Sequence, residues 1–335
     1  LDKFLTAQFA LEQGDDSKMR SFYNSQLGKP YAFKSSLPDP DKLAERAEDY
    51  DEFTVPEVGC VLTAGVDVQH DRLAVIIRAW WKEEESWLIY WGEIHGETIL
   101  PEKGAWTDLE ALLTREFPGP NGTRLKISAV SIDSSDGQTS DAVYTFVRRR
   151  LARRYMAIKG SSVNDEIKEI FSTPKVSVDQ DRMQKALKYG LKPFIVGTSR
   201  AKDLILGVDE KGGRIKLQGR GPGRMHWYKA VRPDYWVQIT SEVKAPTSRS
   251  DKRVWQKKSG VRNEALDCEV YALHAARSLK LHLWSPERWD EEKADQLQID
   301  LLPQADNTAP ETTKPVEEAP QVDDFFNAYR GNDAW

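Results

Sequence analysis

From Gly59 the chain takes on the period of two of β-strands in three largely apolar segments, VLTAGVDVQ, RLAVIIRAWW and SWLIYWGEIHG. Turns of a few residues, around His70-Asp71 and Lys82 to Glu85, separate them, so the three segments read as an antiparallel meander. Inside the first lies Asp67, in a stretch otherwise suited to a buried strand. Burial strips a carboxylate of its hydration, so the group must be paired, protonated or bound to a cation.

After this meander the pattern alternates between helix and strand. TDLEALLTREF reads as a helix that stops at Pro118-Gly119-Pro120, and LKISAVSID as a fourth strand. The stretch SSDGQTSDAVYTFVRRRLARR is a loop followed by a helix whose apolar face is Ala142, Val143, Phe146 and Val147; YMAIKG is a fifth strand. The expected fold is α/β: a mixed sheet of about five or more strands, the first three antiparallel, flanked by helices. Further on, PFIVGTSRAKDLILGV predicts a strand entering a helix, GGRIKLQGRGPGRMHWYK a basic hairpin, and DYWVQITSEVK a strand-to-helix step. RNEALDCEVYALHAARSLKL predicts a helix capped by Asn263. FLTAQFALEQ and KLAERAEDYDEF predict helices in a lead-in, residues 1–55, that continues something upstream; residues 56–284 form the main domain and 285–335 a largely disordered acidic tail.

Charge is unevenly distributed. From Glu287 onward 13 Asp and Glu face 4 Lys and Arg, whereas Phe146 to Arg224 holds 19 basic and 8 acidic residues, a bias that suits a polyanionic partner. No apolar run reaches the roughly 18 residues of a membrane span, and the N-terminal stretch lacks signal-peptide character, so the expectation is a soluble, intracellular protein. Cys60 and Cys268 have no zinc-ligand spacing and read as small buried side chains.

Strand alternation places Asp67 on one face with Val61, Thr63 and Gly65, and the small residues leave space beside the carboxylate. In the fourth strand Asp133 shares a face with Ile127, Ala129 and Ser131. If the two strands are neighbours, the carboxylates converge. In the late helix, Leu266, Val270 and Leu273 mark the buried stripe and Asp267 lies at its edge near His274. Three acids in one dry cleft repel one another unless hard cations sit between them, and Mg²⁺ or Mn²⁺ suits oxygen donors with room for phosphate. Other chemistries lack their motifs: there is no GxxxxGK[ST], no HExxH and no ordered Ser-His-Asp set, and GRGPGR reads as a basic turn.

The stretches FYNSQLGKPY, LTAGVDVQHDRL, SIDSSDGQTSDAVYTFVRRR, VGTSRAKD and RNEALDCEVYALHAAR, in this order, resemble the C-terminal part of the GpA family of phage terminase large subunits. The resemblance implies an RNase H-like, resolvase-like nuclease domain and an ATPase domain elsewhere in the same full-length chain. It implies that Asp67, Asp133 and Asp267 are catalytic and hold two metal ions, with Asp136, Asp71 and Glu264 as secondary candidates. One ion between Asp67 and Asp133 would activate water; the other, between Asp67 and Asp267, would stabilise the leaving 3′-oxygen. Lys202 or Arg200 would neutralise the scissile phosphate, while Arg148, Arg149, Arg220 and Arg224 would follow the backbone of double-stranded DNA. The implied partners are the small terminase subunit and, through the acidic tail, the portal protein, in the cytoplasm of an infected bacterium. A resolvase- or transposase-like nuclease on the same fold, and a non-catalytic DNA-binding or assembly module, are the alternatives.

Overall fold

The structure, a computed structural model, describes residues 1–12, 17–28, 37–162, 167–174, 188–208, 212–247 and 250–299. The period-two segments form β1 (Val61–Val68), β2 (Arg72–Trp80) and β3 (Ser86–His95), paired as an antiparallel meander. Helices α1 (Asp2–Glu12), α2 (Ser17–Gln26) and α3 (Pro40–Ala44) precede them. Next come α4 (Ala105–Leu113), a ribbon of β4 (Phe117–Pro118) and β5 (Arg124–Leu125), then β6 (Ile127–Asp133), α5 (Ser140–Arg148) and β7 (Tyr155–Gly160). The remaining elements are β8 (Phe194–Val196), α6 (Thr198–Leu206), β9 (Met225–His226), α7 (Pro233–Ile239), β10 (Glu242–Thr247), β11 (Ser250–Lys257), α8 (Glu264–Ser278) and α9 (Pro286–Ile299).

Seven strands join in the order β8-β7-β6-β1-β2-β3-β9. Strands β6, β7 and β8 are parallel to β1, and β9 adds in parallel to β3, so β2 alone runs against the rest. This order and polarity is that of an RNase H-like sheet. Both faces are covered, which explains why β1 and β2 are apolar on both sides. One face buries Leu62, Ala64, Val66, Val75 and Ile77 against Trp106, Leu109, Val143 and Phe146 of α4 and α5. The other buries Ala74, Ile76, Trp80 and Trp91 against α6, α7 and α8.

Three local expectations are corrected. The basic segment before Met225 is no hairpin: after a single helical turn at Arg214–Lys216, its glycines make turns that deliver β9 to the edge of β3. The strand-to-helix step at 234–244 is reversed, with α7 preceding β10. Tyr235 and Trp236 look strand-like in sequence, but both pack on Trp227 from a helix. Within the compositionally acidic tail, α9 folds onto the body. Trp289 is buried against Trp81 and Trp284, and the Gln296 amide donates to the Cys60 carbonyl at 3.0 Å. A few aromatic anchors there outweigh a polar average. Residues 300–335, where the remaining tail is expected, lie outside the described residues. Among the described residues no helix is long and apolar enough to cross a membrane.

Candidate active site

The site begins with the pairing of β1 and β6. Their parallel register runs through Gly65↔Ser131 and Val66↔Ile132, which sets Asp67 beside Asp133 at the C-terminal ends of the two strands. Residues paired in register point to the same face, so both carboxylates project from the side that carries Gly65 and Ser131.

Helix α8 covers that side, and four contacts fix its position. Thr63 Oγ1 donates to the Ala272 carbonyl at 2.9 Å, and Ser131 Oγ meets His274 Nδ1 at 2.8 Å. Cys268 Sγ lies 3.2 Å from the Ala74 carbonyl. Arg78 of β2 donates from Nε and Nη2 to the two oxygens of Glu269, at 2.7 and 2.6 Å, with both residues fully buried. Tyr235 donates a further bond to Glu269 at 2.7 Å, so the buried pair is satisfied as well as bidentate.

Gly65 sets the spacing. A Cβ there would sit 2.1 Å from the Cys268 carbonyl oxygen and 2.5 Å from the Ala272 nitrogen. The small residues of β1 therefore do not leave room beside Asp67, as alternation suggested; they admit the backbone of α8. That close approach holds Asp267, the residue before Cys268, over the strand carboxylates.

The electrostatics follow from this placement. Asp67 is 6% exposed, and its carboxyl is pushed well above the usual range, first by burial and then by the charges of Asp267 and Asp133. Gln69 Nε2 donates to Asp67 Oδ2 at 2.7 Å. Asp133 rises to about 6, chiefly through burial, although Ser135 donates to its Oδ1 from both N and Oγ. Burial also raises Asp267, against the opposing pull of Lys202. Among the described residues no cation pairs with Asp67 or Asp133. His274, behind the site and packed by Phe171 and Phe194, is lowered to about 3 by burial and stays neutral, a structural support for α8.

The other expected residues have different surroundings. Glu264 is clamped by Arg72, whose Nη2 donates at 2.5 Å, and by Arg262. Asp71 is exposed and pairs with Arg72 at 2.7 Å. Asp136 accepts from the Thr139 backbone at the start of α5 and lies 3.3 Å from His70 Nε2. Lys202 is no surface contact: it is 9% exposed, with Nζ 2.7 Å from Glu242 Oε1 and 3.0 Å from Asp267 Oδ1. Arg200 is exposed and pairs with Glu169.

Arg148 and Arg149 end α5 and precede β7, and Arg220 and Arg224 precede β9, which pairs with the start of β3. All four arginines therefore lie at the N-terminal pole of the sheet, roughly 20 Å from the carboxylates for strands of this length. Arg149 sits 3.6 Å from Glu102, Arg220 is held by Glu57 and Glu85, and Arg224 donates to the Pro222 carbonyl.

Sequence reasoning missed the residues around Asp267. Asn263 precedes α8 as expected, but its amide donates to Asp267 Oδ2 at 2.8 Å and Glu242 Oε1 at 3.0 Å instead of capping the helix. Glu242 opens the β10–β11 hairpin, where it pairs in register with Lys257, close enough to Asp267 to ease its ionisation. Gly65 did carry a signal, since a glycine inside a strand marks close backbone approach.

As donors, the carboxylates fit hard divalent cations: all are oxygen ligands, Asp67 and Asp133 are nearly buried, and neither has a protein counter-ion among the described residues. They are not a closed cage. Among the described residues no three His, Cys, Asp or Glu side chains stand ready around one ion, because Asp267 is turned to Lys202 and Asn263.

With this geometry in view, residues 1–289 match the family described as the terminase large subunit gpA, endonuclease domain. The chain belongs to that family. It is 31% identical over 277 residues to the terminase large subunit of Escherichia phage lambda, covering 79% of this chain and 40% of the relative. To that of Enterobacteria phage P21 it is 27% identical, covering 94% and 46%. The chain thus spans less than half the length of the curated relatives it matches. Among solved structures, the magnesium-bound large terminase nuclease of thermophilic phage G20c aligns at 11% identity with a TM-score of 0.37, covering 72% of this chain and 97% of that one. Thermus thermophilus RuvC in complex with a Holliday junction substrate aligns at 13% identity with a TM-score of 0.27, covering 66% and 96%.

Proposed function

We propose that this chain is a divalent-metal-dependent endonuclease that hydrolyses phosphodiester bonds in concatemeric double-stranded phage DNA. The observation that carries the reading is the seating of α8 at Gly65, which brings Asp267 to neighbouring Asp67 and Asp133 and raises all three carboxyls. Structural carboxylates are not normally gathered at a cost to stability, so the cluster calls for a cationic ligand. Asp67 and Asp133 would hold one ion, Asp67 and Asp267 a second. When bound, Mg²⁺ or Mn²⁺ supplies Lewis-acid activation of water and charge neutralisation at the leaving oxygen.

The chain's own residues supply the frame. Ser135 orients Asp133, Gln69 orients Asp67, and the Arg78–Glu269 pair locks the rotation of α8. The arginines at the opposite pole would contact flanking backbone rather than the phosphate being cut. We further propose that the full-length chain adds an ATPase domain, that the small terminase subunit selects the site, that the acidic C-terminal tail contacts the portal, and that cutting occurs in the host cytoplasm.

The test is cleavage of supercoiled plasmid by the purified protein with Mg²⁺, with Mn²⁺ and with EDTA. Metal-dependent nicking and linearisation are expected, and their loss in Asp67→Asn and Asp133→Asn. Cleavage undiminished in both variants would sink the site. Strong preference for four-way junctions over plain duplex would favour the resolvase-like alternative.

A further inference from the structure

The three carboxylates are not equivalent. Asp267 has an internal counter-ion, the Lys202 ammonium at 3.0 Å, and Asn263 occupies its second oxygen at 2.8 Å. Glu242 completes a closed ring: Lys202 donates to it at 2.7 Å and Asn263 at 3.0 Å, and it is 3% exposed. The ring joins α6, β10 and the first turn of α8, so it is built by tertiary structure and not by a local turn. Asp67 and Asp133 have no such partner among the described residues.

We infer that Lys202 is a built-in cation that competes with a divalent ion for Asp267, making the two metal positions unequal. This rests on the metal-dependent reading above. In that arrangement the Asp67–Asp133 position is open to the first ion. The position that needs Asp267 fills only as the ammonium yields Oδ1 and falls back on Glu242, its second anionic partner. Glu242 thereby acts as the holding point for the displaced lysine, and both are positioning residues acting through Asp267. Two oppositely signed consequences follow. Removing the ammonium frees Asp267 and strengthens the second position. Removing the charge of Glu242 leaves Lys202 with Asp267 as its sole anionic partner and weakens that position.

The experiment is a Mn²⁺ titration of the intact protein, followed by the electron paramagnetic resonance signal of free Mn²⁺, for wild type, Lys202→Gln, Glu242→Gln and Asp67→Asn. Wild type should bind one ion tightly and a second more weakly, and Asp67→Asn should lose both. Lys202→Gln should tighten the second step by roughly tenfold or more and leave the first nearly unchanged, whereas Glu242→Gln should loosen it by a similar factor. A loosened fold would shift both variants the same way, so opposite signs cannot come from general damage. An unchanged or weaker second step in Lys202→Gln overturns the inference. Failure of wild type to bind Mn²⁺ at all overturns the underlying reading instead.

Discussion

Replacing Asp133 by Asn should make the metal-free protein more stable, and only above acidic pH. The folded-state carboxyl holds its proton up to about pH 6, against an ordinary value of 3.8. Between these values the folded chain binds more protons than the unfolded one, so stability falls as pH rises through this window and levels off above it. Two pH units at about 1.4 kcal/mol each amount to a penalty on the order of 3 kcal/mol at pH 8, undiminished by solvent because the group is almost wholly buried. Asn keeps an oxygen to accept from Ser135 N and Oγ and carries no charge. Urea unfolding in EDTA at pH 4 and pH 8 is the assay. The variant should gain up to about 3 kcal/mol at pH 8 and almost nothing at pH 4. A variant less stable at pH 8, or equally stabilised at both pH values, would refute the claim that burial and neighbouring charge set this carboxyl.

Other perturbations test the frame. Gly65→Ala places a Cβ against the Cys268 carbonyl, so it should destabilise by about 1–3 kcal/mol and abolish cleavage, measured by thermal unfolding and a plasmid assay. Arg78→Met leaves Glu269 charged and buried without its partner and should lose about 3–5 kcal/mol in denaturant unfolding, while Arg78→Met with Glu269→Leu should recover most of it. Arg148→Ala with Arg149→Ala should lower the salt dependence of duplex binding by roughly one to two in log–log slope, with cleavage of saturating DNA retained; an unchanged slope would remove these residues from the DNA surface.

The strands were legible because alternation is local: it placed Asp67 and Asp133 on faces, but the pairing of β6 with β1 stayed conditional, because the connection through α4 does not by itself choose the neighbouring strand. The helical phase of RNEALDCEVYALHAAR put Asp267 at the edge of the stripe facing the sheet. Alternation gives a face, not a distance, so Gly65 was misjudged as open space. Lys202 was assigned to the scissile phosphate, and its internal partners Glu242 and Asp267, 40 and 65 positions away, left no local trace. Glu242 was hidden by the inverted reading of 234–244, where aromatic and β-branched residues favour a strand until tertiary packing decides for a helix. Arg78 and Glu269, 191 positions apart, left no local trace.

The most direct test of the account is a crystal of the protein soaked in Mn²⁺, with anomalous scattering used to locate the ions. A peak within about 2.3 Å of oxygens from both Asp67 and Asp133 is expected, with a second, weaker peak toward Asp267. Full loading of the crystal with no manganese at Asp67 and Asp133, or manganese only at sites remote from them, would contradict it.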